Sequence, residues 1–338
     1  MAGPGQPATP LRVLVAGMGS IGRRHLQNLR ALQPDLHVTV FRPRTQAPPD
    51  LPCDEVFYQW EPVLAGRYDA AILATPAPQH VPAALALARA HVHLFIEKPL
   101  SDSLAGVEEL LELGRRNGRV LMVGYNLRFH RPLQVLRRAI EEGRIGRILS
   151  ARAEVGQWLP DWRSGQDVRD SISGRRDLGG GVVLELSHEI DCLRWLVGSE
   201  VCAVSAQMGH VSDLPIDVED VAEITLRFAN GALGHAHLDM LQRPPARACR
   251  IIGATGQLAW DAQSQAVRWC PLETGVWTEL PAGPAPDRND MYVEELRQFL
   301  QCVREGRPPA IDGAEGRRTL EVALAAKRAA AEGREVRL

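Results

Sequence analysis

The chain has 338 residues, enough for two compact cores, and its 45% hydrophobic and 24% charged residues are those of an ordinary globular protein. A formal net charge of -2 gives no electrostatic ground for a nucleic-acid partner, and no basic run is dense enough for a membrane surface. No apolar stretch approaches membrane-spanning length. The six cysteines form no C-x-x-C pair and no tight cluster, which points to scattered thiols in a reducing compartment and a cytoplasmic protein.

Residues 1–10 are rich in Pro and Gly without an apolar core, and read as a flexible tail and not a signal peptide. Short apolar runs then alternate with helical patterns. Val13–Ala16 precedes a helix; His37–Phe41 follows, then a short helix at Pro62–Ala65 and a strand at Ala70–Ala74. A helix at Val81–Ala90 leads to Val92–Ile96, another runs to Arg116 with Ser101 or Ser103 as its cap, and Val120–Val123 closes the series. Such alternation predicts βαβ units: a doubly wound parallel sheet over residues 11–124, the Rossmann arrangement.

Beyond Gly124 the pattern changes. A helix is expected at Pro132–Glu142 and a strand at Ile148–Val155, followed by a long polar segment from Gln157 to Asp177 and a helix from the glycine triplet at 179–181 through Val197. The period then becomes two, with Ala222, Ile224, Leu226 and Phe228 on one strand face. Asn230-Gly231 signals a hairpin, Ala232–Leu238 is its returning strand, and further strands are expected near Arg250–Ile252 and Leu258–Trp260. Residues 125–312 thus read as an α+β domain with an open, mainly antiparallel sheet, one face of which is solvated or covered by a partner. It includes an amphipathic helix from Asn289 or Asp290, and residues 313–338 form a last helix and tail.

The motif Gly17-Met18-Gly19-Ser20-Ile21-Gly22 sits between the first strand and the first helix. Gly17 suits the tight turn, Gly19 lets backbone approach a pyrophosphate, Gly22 permits close helix packing, and the helix N-terminus offers N–H groups to phosphate oxygens. Ala74-Thr75-Pro76, with His80 after it, ends the Ala70 strand, and Glu97-Lys98-Pro99 ends the next. Gly124-Tyr125-Asn126-Leu127-Arg128-Phe129, Ile145-Gly146, Trp162-Arg163, the glycine triplet and His188-Glu189-Ile190-Asp191 follow in order. Together they resemble the Gfo/Idh/MocA oxidoreductases, the family of glucose–fructose oxidoreductase and inositol dehydrogenase, over nearly the whole chain. The resemblance implies a nicotinamide-dependent dehydrogenase that forms a homodimer or homotetramer through its second sheet. It assigns the catalytic lysine to Lys98 and the catalytic histidine to His188. Many members carry Asp four residues before that histidine; here position 184 is Leu, and Glu185, three residues before, would share a helical face with His188. Asp161-Trp162-Arg163 with Arg175-Arg176-Asp177-Leu178 resembles a subgroup acting on sugars or sugar acids.

The chemistry agrees with these residue types. Oxidation of a carbinol needs a base for the hydroxyl proton, which suits His188, and a cation for the developing alkoxide, which suits Lys98. Asp191 either orients the imidazole or meets substrate, or else caps or solvates the helix, and Glu189 faces solvent. Met18, Ser20, Ile21, Thr75, Pro76, His80, Glu97, Trp162 and Arg163 complete the expected cofactor contacts. Tyr125, Asn126, Arg163 and Arg169 join Lys98 and His188 as substrate contacts, although Arg169, Arg175 and Arg176, which suit a carboxylate or phosphate, are better explained by a solvated loop face. His235 and His237 share a strand face without a third ligand at a telling spacing, so no metal is expected.

The strand ending at Phe41 is followed by Arg42-Pro43-Arg44 and no acid, so a 2′-phosphate is met by Arg42 or Arg44, favouring NADP over NAD. The expected substrate is a small carbohydrate-like molecule: a sugar, cyclitol or derivative. Two other readings use the same residues: a redox glycosidase that retains its dinucleotide through turnover, and a regulatory protein that binds the dinucleotide without chemistry.

Overall fold

The computed structural model describes residues 10–43, 51–163 and 165–338. The expected tail at 1–9 and Arg44 lie outside the described residues.

The chain folds as two compact units. In the first, β1 (Arg12–Ala16) leads through α1 (Ser20–Leu32) to β2 (His37–Phe41), then β3 (Glu55–Phe57), α2 (Trp60–Ala65) and β4 (Ala70–Leu73). Helix α3 (His80–Arg89), β5 (His93–Glu97), α4 (Val107–Asn117) and β6 (Leu121–Gly124) complete the series. The sheet order is β3-β2-β1-β4-β5-β6, every pair parallel. Val13–Ala16, Ala70–Leu73 and Leu94–Ile96 are buried on both faces, as strands between two helical layers must be. The order reverses between β1 and β4, which is where such sheets open a crevice at their strand ends. Helix α4 starts later than expected: its cap is Gly106, at a φ of 74°, and not Ser101 or Ser103. Glu108 and Glu109 follow in its first turn, where acids oppose the positive helix end.

The second unit contains α5 (Arg131–Glu141), β7 (Ile148–Gly156), α6 (Val182–Glu185), α7 (His188–Val197), β8 (Val201–Gly209), β9 (Val221–Phe228), β10 (Leu233–Asp239) and β11 (Ala246–Gly253). Strands β12 (Gly256–Asp261), β13 (Val267–Pro271) and β14 (Thr278–Leu280) follow. After α8 (Asp290–Glu305) and α9 (Gly313–Glu332), β15 (Val336–Arg337) adds the last edge. The sheet runs β14-β13-β12-β11-β7-β10-β9-β8-β15 and is antiparallel apart from the β7–β10 pair. On β9 the four residues expected inside are buried, and Gly231, at a φ of 86°, turns the chain into β10.

Packing does not follow a contiguous division of the chain. Residues 292–314 belong to the first unit, and 315–338 to the second. The buried face of α8 explains the return: Phe299 meets Phe95 edge-on at 5.6 Å, and the Ile311 carbonyl accepts the Val123 N–H.

Candidate active site

The three motif glycines in the first unit have different reasons to be glycine. Gly17 has a φ of 98°, and a Cβ there would stand 2.4 Å from the Ala74 carbonyl oxygen. A Cβ on Gly22 would stand 1.9 Å from the Gly17 carbonyl oxygen. Gly19 has an ordinary φ of -68°, and a Cβ would meet nothing within 4 Å. The turn's own packing therefore demands Gly17 and Gly22, whereas Gly19 is exposed and open at its Cβ position. Helix α1 begins there with no side-chain cap and no acid in its first turn, so the amides of Ser20, Ile21 and Gly22 meet the requirements of a phosphate. Met18 and Ile21 are half-buried beside the turn. The Gly17 N–H donates to the Phe41 carbonyl, placing the turn beside the end of β2, where half-buried Arg42 follows. Its Nε is buried without a hydrogen-bond partner among the described residues.

Buried Thr75 and half-buried Pro76 continue from β4 along the same sheet edge, and the Thr75 hydroxyl is another buried polar atom without a partner among the described residues. These features fit a dinucleotide. His80 is buried between two loops, with Nε2 2.7 Å from the Thr75 carbonyl and Nδ1 3.0 Å from that of Pro99. Burial pushes its imidazole toward the neutral form, against these bonds. Glu97 is likewise committed inward: one oxygen lies 2.6 Å from His25 Nε2, and the other accepts the Lys98 backbone N–H at 3.2 Å. Lys98 itself is half-buried just past β5. It is one of only two lysines in the chain, the other being Lys327, although Lys and Arg total 39. Cationic positions are otherwise guanidinium, which cannot give up its proton in a protein as an amine can.

In the second unit, His188 is half-buried at the first position of α7, its ring edge-on to Tyr125 at 5.7 Å. Tyr125 is fully buried with its hydroxyl 3.5 Å from Ser187 Oγ, and burial together with Asp191 raises its phenol. It is a wall beside His188 and not a surface for substrate. The continuous helix expected from the glycine triplet is broken: α6 ends at Glu185, Leu186 leaves helical geometry, and Ser187 is the N-cap position before α7. The shared-face argument for half-buried Glu185 and His188 therefore fails, because the two residues stand on different helices. Asn126 is buried at the start of a short 3-10 turn that leaves β6.

Asp191 is engaged in a network of its own unit. Arg128 donates to both its oxygens, at 2.9 and 2.7 Å, and Thr319 donates to Oδ1 at 3.2 Å. Arg128 also pairs with Glu315, and Arg194 reaches Thr319 and Glu315, forming one closed network. Glu189 does not face solvent either: it is buried and ion-paired with Arg247 at 2.7 Å. The Trp162 indole N–H donates to the Gln157 carbonyl, with Arg163 half-buried next to it. Arg169 is exposed and bound in a fork to Asp167, and Arg175 is paired with Asp177; as substrate contacts both are already engaged. On the outer sheet face His235 and His237 share Glu223, and His237 also meets Asp239 at 2.9 Å.

Residues 11–125 match the oxidoreductase family with an NAD-binding Rossmann fold, and residues 133–259 match the GFO/IDH/MocA C-terminal domain. The chain belongs to the Gfo/Idh/MocA family of oxidoreductases. A myo-inositol 2-dehydrogenase of Thermotoga maritima is 29% identical over 97% of this chain and 98% of its own length. A levoglucosan dehydrogenase of Pseudarthrobacter phenanthrenivorans is 33% identical over 48% of this chain and 47% of its own. Among solved structures, levoglucosan dehydrogenase in complex with NADH superposes with a TM-score of 0.87, at 22% identity, covering 97% of this chain and 99% of that one. As a Gfo/Idh/MocA member this chain is an oxidoreductase with an NAD-binding Rossmann domain and a second α/β unit, and its dehydrogenase character agrees with those relatives. Among the described residues no helix is long and apolar enough to cross a membrane.

Sequence reasoning missed Arg128 as the hub of the Asp191 network and Glu295 beside Glu97. Arg128 was visible only as part of the Gly124–Phe129 motif, and Glu295 only as the one acid falling on the apolar face of α8.

Proposed function

We propose that this family member oxidises a secondary hydroxyl of a sugar or cyclitol, or reduces the corresponding ketone, with Lys98 and His188 handling the proton. The observation that carries the proposal is the space at Gly19, which the turn itself does not use, at the uncapped start of α1. The glycine-turn amides would hold the pyrophosphate, with Thr75 and Pro76 along the same strand ends. The nicotinamide supplies the hydride acceptor. Lys98 would hold the substrate oxygen and offset its negative charge as the C–H bond breaks, while His188 takes the hydroxyl proton; in reduction His188 returns it. Asn126 and Arg163 are the polar groups assigned to orient the substrate. The names of the inositol and levoglucosan relatives support a carbohydrate-like ligand.

Arg42 supports NADP over NAD, because its guanidinium follows β2, where an NAD-selective domain would carry an acid. The face of the nine-stranded sheet, with exposed Leu149 and Leu233, supports a homodimer or homotetramer, which light scattering would measure. The six unpaired cysteines support a cytoplasmic setting.

The test is a reduction screen with NAD and NADP across polyols, aldoses, anhydrosugars and sugar acids, followed by nicotinamide absorbance. Lys98→Met and His188→Ala should each lower kcat by about a hundred- to a thousandfold while NADH still binds. Arg42→Ala should raise KM for NADP by about tenfold or more relative to NAD. Full turnover in both the lysine and histidine variants would remove the assignment.

A further inference from the structure

Three titratable side chains of the first unit meet where the chemistry above does not use them. His25 comes from α1, Glu97 ends β5 and Glu295 comes from α8; their polar tips all lie within 4.8 Å of one another. His25 and Glu295 have no exposed surface, and Glu97 very little. Neither oxygen of Glu295 has a hydrogen-bond partner among the described residues.

A cation is a poor occupant. His25 Nε2 and Glu97 Oε1 are only 2.6 Å apart, a hydrogen-bond distance. Two ligands of one tetrahedral ion, at bonds of about 2.0 Å, stand roughly 3.3 Å apart. A shared proton fits better, because two carboxylates side by side away from water cannot both stay charged. Burial, and after it the Glu97 carboxylate, pushes the Glu295 acid well above its ordinary range, toward the neutral form. A protonated carboxyl is a donor, a buried donor is costly without an acceptor, and Glu97 is the carboxylate within reach.

We propose that Glu295 is a positioning residue for Lys98: its O–H is given to Glu97, fixing the carboxylate that in turn holds the Lys98 backbone N–H. This rests on the role given to Lys98 above. The chain of contact runs from α8 through a β5 side chain to the backbone of the residue that follows β5, so it acts on where the amine stands and not on the dinucleotide.

Having only two lysines makes the test selective. Reductive methylation with 13C-formaldehyde labels Lys98, Lys327 and the terminal amine, and K98M assigns the Lys98 resonance. In E295L, which removes the donor but keeps the volume, the Lys98 signal should shift or broaden while the Lys327 signal stays. In E295Q, a neutral donor of the same shape, it should remain as in the unsubstituted protein. With a substrate from the screen, E295L should lose about tenfold in kcat with NADH affinity unchanged, and E295Q should stay within about threefold. Should E295L not fold, Glu295→Met serves in its place. An unmoved Lys98 signal in E295L, or equal disturbance by E295Q, overturns the proposal. Full activity of K98M instead overturns the function and leaves the resonance experiment standing.

Discussion

Asp191 in the second unit and Glu295 in the first are both buried acids in an element bearing or adjoining a proposed catalytic residue, yet their surroundings treat them in opposite ways. Asp191 receives two guanidinium bonds from Arg128 and a hydroxyl from Thr319, and Arg128 continues to Glu315, which Arg194 also meets. Glu295 faces a second acid and an imidazole, with no arginine in the group. A carboxylate closed by cations is structural: its charge is fixed and its lone pairs are used. A carboxyl left beside another acid must keep a proton, and so it becomes a donor instead of an anion. Burial alone therefore does not separate support from function; the partner set does.

The largest effect expected from this contrast is on stability. Asp191→Ala leaves the largely buried Arg128 with one acid fewer, and should lower unfolding free energy by about 3–5 kcal/mol. E295L, which removes no ion pair, should change it by less than about 1 kcal/mol or raise it. Denaturant melts of the two variants side by side break the comparison if they lose the same amount. A smaller effect separates the two kinds of glycine. Gly22→Ala forces a Cβ against the Gly17 carbonyl and should cost about 1–3 kcal/mol or more, whereas Gly19→Ala should melt as the parent does but bind NADH more weakly by calorimetry. A Gly19→Ala protein of unchanged NADH affinity would take the phosphate away from that turn.

The smallest effect concerns the outer sheet. The hydrogen bond to Asp239, with Glu223 behind it, lifts His237 to about 9 against partial burial. Its folded value lies above the ordinary 6.5, so its contribution is complete below about pH 6.5 and is lost as pH rises through about 9. His237→Gln should therefore cost less than about 1 kcal/mol at pH 6 and nothing measurable at pH 10. Proton NMR of the His237 ring checks the titration; a midpoint near 6.5 would show that the ion pair is not formed in solution.

The first unit was almost fully legible because its signals are local. Strands β1, β4 and β5 are buried on both faces around unbroken apolar runs, and the glycine turn is contiguous. The period-two pattern of β9 was equally plain. Short β3 and β15 carry too few residues for any period, and the parallel β7–β10 pair joins strands far apart in sequence. The break at Leu186-Ser187 was hidden, since neither residue is a strong helix breaker. Site residues were legible by type and motif but not by commitment: nothing near Asp191 in sequence announces that Arg128 and Thr319 will take its oxygens. For the same reason Arg169 read as a possible anion contact until Asp167 was found in its fork.

His80 shows how few side chains separate grip from reactivity in the first unit. One imidazole touches the carbonyls of Thr75 and Pro99, yet a neutral ring carries a single N–H to give. Whichever loop receives that hydrogen is tethered, and the carbonyl of the other faces a ring-nitrogen lone pair and is pushed away. A tautomer change thus trades firmness between the stretch that would cradle the dinucleotide and the stretch next to the amine, with no movement of the backbone required to begin it.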